Sequence, residues 1–269
     1  MSDKDPKAVV NVVLRERRDG ILRLTIANPP ANALSEAVLA SLADALATAR
    51  DDDAVRAVVI AAEGQVFSAG HDLKELTAHR ADPDGGREYF QTLFAQCAVV
   101  MQAIVRLPKP VIAEVDGLAT AAGCQLVASC DLAICSDEAT FCTPGVHIGL
   151  FCSTPMVALS RNVHRKHAME MLLTGEAVDA TAARSIGLVN RVVPRDYLRR
   201  VTDEYASRIA AKASRTLSIG KETFYAQADM GLEDAYAFAS EVMAENMLDA
   251  EAEEGIGAFL QHRKPDWPS

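Results

Sequence analysis

Two short segments of this chain place small residues and a glycine where a buried strand gives way to a helix. They are residues 67–72 (FSAGHD) and residues 120–125 (TAAGCQ). Small side chains let a backbone approach a ligand closely, and a helix start leaves unpaired N–H donors with a partial positive charge. Two such starts that converge would bind an oxygen atom that becomes an anion. Tight packing of a helix on a sheet also uses small residues and is the alternative interpretation.

The elements that must position these segments alternate between strands and helices. Residues 10–27 alternate apolar and polar positions around Asp19-Gly20, which predicts an antiparallel hairpin. Ser35 is placed to cap a following helix, and apolar spacing predicts a long helix over residues 87–106. The repeated alternation predicts an α/β core over residues 1–196.

The last part of the chain shows only helical patterns. Residues 197–212, 214–229 and 232–262 each carry an apolar face but offer one another few partners. We therefore predict a helical oligomerisation region over residues 197–269, which packs on the core or on a neighbouring subunit.

Composition excludes several classes of function. Acidic residues outnumber basic ones 37 to 27, for a formal net charge of −10, so nucleic acid is not an expected partner. The polar first ten residues lack a secretory signal, and no apolar run is long enough to span a membrane. The six cysteines form no CxxC pair, which indicates reduced thiols rather than a metal site. These features predict a cytoplasmic protein without a metal.

Three longer stretches make the sequence recognisable: FSAGHDLKEL, KPVIAEVDGLATAAGCQLVASCDLAI and, near the end, GAFLQHRKP. Together they resemble the crotonase, or enoyl-CoA hydratase/isomerase, superfamily over nearly the whole chain. The resemblance implies a spiral of ββα repeats followed by a C-terminal helical trimerisation region. It also implies a homotrimer or a dimer of trimers.

The same resemblance implies an enzyme of fatty acyl-CoA metabolism, of the lyase or isomerase type. The thioester carbonyl of an acyl-CoA would accept hydrogen bonds from the backbone N–H groups of His71 and Ala122. Coenzyme A enters as part of the substrate, so no separate cofactor is expected. The family's coenzyme A-binding stretch falls on Phe67, Ser68, Ala69, Asp72 and Lys74, where the lysine would approach a phosphate unless it is an ordinary solvated side chain.

Two departures from the family pattern affect the mechanism. The hydratase pattern has catalytic glutamates where this chain has Gln125 and Gly145. Proton transfer by a positioned group supplies about 10²- to 10⁴-fold in rate, and a glutamine side chain cannot take a proton from water. Hydration by the usual two-glutamate route is therefore not expected.

Several residues are candidates to replace the lost carboxylates. His71 is the first, because an imidazole titrates near neutral pH and because some acyl-CoA decarboxylases of this superfamily share the SAGHD pattern. His147, Cys152 and Glu75 are weaker candidates, for which a structural role is favoured. Glu114 stands in the apolar run VIAEV and must be paired if it is buried. A noncatalytic acyl-CoA binder is the alternative from a different class.

Overall fold

A computed structural model describes residues 11–267 of the chain, so residues 1–10, which include the polar start, lie outside it. In chain order the strands are β1 (Val13–Arg18), β2 (Ile21–Ile26), β3 (Ala57–Ala62), β4 (Val66–Ser68), β5 (Val111–Val115), β6 (Leu118–Thr120), β7 (Leu132–Ser136), β8 (Thr140–Cys142), β9 (Val178–Asp179) and β10 (Arg191–Val193). The α-helices are α1 (Glu36–Asp51), α2 (Leu73–Ala78), α3 (Arg87–Arg106), α4 (Ala122–Ser129), α5 (Pro155–Asn162), α6 (Arg165–Thr174), α7 (Ala180–Ser185), α8 (Leu198–Ala210), α9 (Ser214–Gln227), α10 (Leu232–Asn246) and α11 (Ala250–Leu260).

The strands form two sheets. The larger has the order β1-β2-β3-β5-β7-β10 and is parallel except for the β1–β2 hairpin, and the smaller has the order β4-β6-β8-β9. Each turn of the chain adds one strand to each sheet and then a helix, as in β3-β4-α2 and β5-β6-α4. This is the predicted spiral of ββα repeats. The hairpin, the Ser35 cap on α1 and the helix over residues 87–106 are also confirmed.

The larger sheet is covered on both faces. On one side its strands and the helices share a single apolar core that includes Leu24, Ile60 and Phe141. On the other side α8 packs Leu198 and Ala206 against Val59, Ile112 and Ile134. Strands buried on both faces are continuously apolar, which explains the sequence AVVIAA of β3.

A buried ion pair joins the larger sheet to α8. The Arg23 guanidinium donates to both carboxylate oxygens of Glu114, at 2.6 and 3.0 Å, and also to Asp203 Oδ1 at 2.7 Å. The Arg23 and Glu114 side chains are only 5% and 11% exposed. Glu114 is therefore the paired carboxylate that its apolar surroundings require, and its role is structural.

The C-terminal helices contact the core through a few polar anchors. Lys221 Nζ donates to Asp131 Oδ2 at 2.6 Å and to two backbone carbonyls at the end of α3 and the start of β5, while Tyr225 donates to Asp131 Oδ1. The segment predicted to be helical over residues 232–262 consists of two helices, because the first ends at Asn246 and the second begins at Ala250. The Asp249 carboxylate accepts from Arg215 and Asn246 at this break.

We expect Arg23→Ala to lower the free energy of unfolding by about 3 to 5 kcal/mol, because it leaves the buried Glu114 carboxylate without its partner. Urea unfolding at fixed protein concentration measures the change. Arg17→Ala, which removes an exposed ion pair with Asp52, is the matched control and should cost less than about 1 kcal/mol. Equal losses in the two variants would contradict the structural role of the Arg23 pair.

Candidate active site

The two segments singled out in the sequence meet at one edge of the smaller sheet. Strands β4 and β6 are parallel neighbours, so the segments that follow them leave the sheet at the same edge. The chain enters α2 after β4 and α4 after β6. The structure thus brings together the two helix starts that the sequence predicts would converge.

Two glycines allow the segments to touch. A Cβ added to Gly70 would lie 3.0 Å from Ala121 Cβ and 3.2 Å from Ala122 N. A Cβ added to Gly123 would lie only 2.5 Å from the Ser68 carbonyl oxygen, closer than real atoms approach. The two interpretations of these small residues, tight packing and a ligand site, are therefore compatible. Packing of the two segments against each other holds their backbone N–H groups close together.

The expected donors are the backbone N–H groups of His71 and Ala122, which we call the donor pair. Within residues 11–267 neither group donates a hydrogen bond. Neighbouring backbone groups are occupied: the Leu34 N–H donates to the Gly70 carbonyl and the Ala121 N–H donates to the Cys142 carbonyl. The donor pair is therefore available to an external acceptor.

The backbone at Ala121 is strained. Its φ of 49° and ψ of −116° lie in a region that glycine adopts far more readily than alanine. Such conformations cost about 1 to 3 kcal/mol and persist where the surrounding structure enforces them. Here the turn at Ala121 starts α4 directly from the end of β6.

The His71 side chain lies beside the donor pair and is neutral at pH 7. Burial lowers its pKa, and the Leu34 carbonyl opposes this shift without reaching hydrogen-bonding geometry. Both ring nitrogens are buried and lack a hydrogen-bond partner among the described residues. The ring meets Phe94 of α3 edge-on, with centroids 5.3 Å apart. A neutral imidazole can donate one hydrogen bond and accept another, so a bound ligand could satisfy both nitrogens.

Gln125 lies in the first turn of α4. It is 5% exposed, and its Oε1 is buried without a partner among residues 11–267. A buried polar atom without a hydrogen bond costs about 1 to 3 kcal/mol. Gln125 Oε1 and the two His71 ring nitrogens are thus buried polar atoms that no group within residues 11–267 hydrogen-bonds.

The position of the second family glutamate is closed to any side chain. A Cβ added to Gly145 would lie 2.7 Å from the Leu150 carbonyl oxygen and 3.0 Å from Cys152 Sγ. The Leu150 N–H donates back to the Gly145 carbonyl at 2.9 Å, which closes this loop. A side chain at position 145, where the family resemblance implies a glutamate, would therefore meet this loop.

The expected coenzyme A-binding residues divide into two groups. Phe67 and Ser68 are fully buried, and Ser68 Oγ accepts a hydrogen bond from the Gly70 N–H, so these two side chains shape the turn. Asp72 caps α2 by accepting from the Lys74 N–H at 2.8 Å. The Lys74 side chain is exposed, and Ala69 and Asp72 are half-buried. Solvent therefore reaches the last three residues.

Two weaker candidates have structural partners. His147 Nε2 is hydrogen-bonded to the Thr174 carbonyl oxygen, at a distance of 2.8 Å. Glu75 Oε2 accepts from the backbone N–H of Glu36, the first residue of α1, and burial raises the pKa of Glu75. The position of Phe94 against His71 was not foreseen, because nothing in the local sequence of α3 indicates which element it faces.

A cavity of about 500 Å³ is lined by neither residue of the donor pair. It is formed mainly by α3 and the segment that precedes it, with Glu36 from α1. Its rim carries four carboxylates, from Glu36, Asp82, Asp84 and Glu88. This concentration of negative charge does not suit the phosphates of coenzyme A.

Comparison with known proteins agrees with the geometry. The enoyl-CoA hydratase/isomerase family matches residues 16–269. This chain belongs to that family. Among curated members, it is 49% identical over 253 residues to the enoyl-CoA hydratase domain-containing protein 3, mitochondrial, of Xenopus laevis, covering 94% of this chain and 84% of the relative. The human protein of the same name is 49% identical over 250 residues, covering 93% and 81%.

Solved structures of family members have the same fold. An enoyl-CoA hydratase of Mycobacterium smegmatis superposes with a TM-score of 0.91 at 53% identity, over 95% of this chain and 98% of that one. Human enoyl Coenzyme A hydratase domain-containing protein 3 superposes with a TM-score of 0.91 at 47% identity, over 96% and 100%. These two comparisons confirm the predicted crotonase fold.

One expectation is wrong. The sequence composition predicted a cytoplasmic protein, but the curated relatives at 46–49% identity carry the word mitochondrial in their names. Absence of a recognisable export signal says little about import into an organelle. Within residues 11–267, no helix has the length and apolarity needed to cross a membrane.

We expect the double variant Gln125→Glu/Gly145→Glu to gain no hydration of crotonyl-CoA, although it restores both family carboxylates. The side chain at 145 has no room, and forcing it in displaces the 145–152 loop at a cost of about 1 to 3 kcal/mol. Loss of the enoyl absorbance measures hydration, and the single variant Gln125→Glu is the control. Hydration by the double variant at a rate typical of family hydratases would show that the loop does not close this position.

We also expect the His71 imidazole to titrate below its ordinary value of 6.5. The unfolded chain binds this proton more tightly than the folded one, so the stability that His71 contributes is fully present above pH 6.5 and is lost as the pH falls from 6.5 through the lower pKa of the folded state. Histidine-labelled protein followed by NMR from pH 8 to pH 5 gives the midpoint, with the signal assigned through His71→Gln. A midpoint at or above 6.5 would contradict the burial argument.

Proposed function

We propose that this protein binds an acyl-CoA thioester and stabilises its enolate through the donor pair. The observation that carries this proposal is the convergence of two unoccupied backbone N–H groups, from His71 and Ala122, on either side of the Gly70 contact. Preorganised donors of this kind contribute about 3 to 4 kcal/mol each to transition-state stabilisation. Coenzyme A would extend along Ala69, Asp72 and Lys74, the solvent-accessible part of the stretch that Phe67 and Ser68 shape.

The reaction that follows enolate formation is one that needs no activated water. The chain belongs to the enoyl-CoA hydratase/isomerase family, and this membership supports our proposal of an enzyme of acyl-CoA metabolism. Gln125 cannot act as a base, and the closed position at Gly145 leaves no space for the second carboxylate. An isomerase-like reaction on the acyl chain fits these constraints better than hydration.

Decarboxylation of a substrate that carries a carboxylate next to the thioester is the second candidate. The neutral His71, whose two ring nitrogens are buried and have no hydrogen-bond partner among the described residues, favours it. Loss of CO₂ leaves an enolate that the donor pair would hold, and the step requires no strong base. His71 would then hold the carboxylate through one N–H and orient it for cleavage.

Mass spectrometry distinguishes these possibilities. The purified protein is incubated with crotonyl-, 3-enoyl-, long-chain 2-enoyl- and methylmalonyl-CoA, beside a protein-free control and a Gly123→Val variant that separates the two segments. We expect the wild-type protein to form either an isomer of the substrate, resolved by chromatography, or a product that has lost CO₂. We expect neither product from the variant. Gain of water would overturn the exclusion of hydration. Tight binding by calorimetry without any product would leave a noncatalytic acyl-CoA binder.

We further propose that the chain assembles as a homotrimer or a dimer of trimers. Large side chains stand exposed on the C-terminal helices and in the break between α10 and α11: Phe224, Leu232, Tyr236, Met243, Leu248 and Phe259 are 63–87% exposed. Exposed apolar surface of this extent marks an interface. Light scattering should give three or six times the chain mass, and a monomer would contradict the proposal.

A further inference from the structure

The His71 ring has no hydrogen bond that fixes its orientation. Its main chain is held in place, because Leu34 pairs with His71 as an isolated β-bridge and the Leu34 N–H donates to the Gly70 carbonyl at 2.8 Å. Its two ring nitrogens are buried and have no hydrogen-bond partner among the described residues. A histidine that acts in a site is commonly oriented by a hydrogen bond to one ring nitrogen. Here packing has to orient the ring instead.

The Phe94 ring of α3 packs against this imidazole. The two ring centroids are 5.3 Å apart and the ring planes are inclined by 66°, which is an edge-to-face arrangement of the kind that aromatic pairs prefer. The last side-chain torsion of histidine has only broad energy minima of its own, so an adjacent ring limits its rotation. A phenyl ring has no nitrogen or oxygen atom that could occupy an imidazole nitrogen. The contact with Phe94 therefore orients the His71 ring and leaves both of its nitrogens to a ligand.

Helix α3 provides a fixed support for this contact. On either side of Phe94 in the chain, Leu93 and Cys97 are 1% and 0% exposed and belong to the apolar core. At the end of the helix the Ile104 carbonyl accepts a hydrogen bond from Lys221 Nζ at 2.9 Å. The backbone that carries Phe94 is therefore held both by the core and by the C-terminal helices.

Phe94 itself lies at the border of the core. Its exposed fraction is 37%, although the neighbouring Leu93 is almost completely buried. A large apolar side chain that keeps more than a third of its surface exposed contributes less to the core than its size would allow. The contact with His71 gives this side chain a role that core packing does not explain.

We propose that Phe94 is a positioning residue, which holds the His71 imidazole in the orientation in which its nitrogens meet the acyl group of a bound thioester. This role rests on the enolate-stabilising function proposed above. Phe94 acts through the imidazole, so its replacement should slow the reaction only where the imidazole is present. A purely structural contribution of Phe94 would be lost equally with or without that ring.

A double-mutant cycle between Phe94 and His71 tests this role. Turnover of 3-enoyl-CoA and of methylmalonyl-CoA is measured for the wild-type protein, Phe94→Leu, His71→Gln and the double variant. All four retain the backbone N–H of the donor pair. We expect Phe94→Leu to lower kcat about tenfold, with KM within about twofold of wild type, because a misplaced group slows the reaction more than it weakens binding. In the His71→Gln protein the same substitution should have no further effect on kcat.

Two further variants separate orientation of the imidazole from general damage to α3. Phe94→Tyr keeps the aromatic ring and should retain kcat within about twofold of wild type. Phe90→Leu is the matched control, because it makes the same change one turn earlier on α3, where the Phe90 ring meets Tyr89 with centroids 6.1 Å apart. It should leave both kcat and KM unchanged.

The outcomes distinguish this role from the proposed function. An equal loss of kcat from Phe94→Leu with and without the imidazole would overturn the positioning role and leave the enolate function intact. An unchanged kcat in either Phe94→Leu or His71→Gln would do the same. If the wild-type protein transforms neither thioester, the proposed function fails and this role fails with it.

Discussion

The geometry of the site depends on a contact between two pieces of backbone that leaves no room for a side chain. The turn after β4 and the turn after β6 approach until a Cβ at Gly123 would overlap the Ser68 carbonyl oxygen. The parallel pairing of β4 with β6 brings the turns to the same edge, and the two glycines let them close. The position of the donor pair follows from this contact. Because the contact is between backbones, rearranged side chains cannot replace it.

The groups around the donor pair carry little formal charge. His71 is neutral, Gln125 is an amide, and burial keeps the Cys124, Cys142 and Cys152 thiols protonated. A negative charge that develops on a bound oxygen would therefore meet oriented N–H dipoles rather than a neighbouring carboxylate. In a buried site these dipoles act with less screening than in water. The arrangement suits a reaction whose intermediate is an anion and whose proton transfers are few.

Much of this structure could be predicted from the sequence because the relevant signals are local. The apolar runs of β3 and β5, the Ser35 cap and the small residues before α2 and α4 each indicate their own conformation. What could not be predicted depends on residues far apart in the chain. Glu114 finds its partner 91 residues away at Arg23, and Phe94 meets His71 across an intervening helix and turn. The break at Asp249 likewise coincides with a partner at Arg215.

The 145–152 loop also limits what a single substitution at position 145 can do. One substitution introduces a side chain without further change only where the space for it is open. Here the Leu150 carbonyl and Cys152 Sγ occupy that space, so a glutamate placed at position 145 would first disturb the loop. A carboxylate at this position therefore requires a second change that opens the loop.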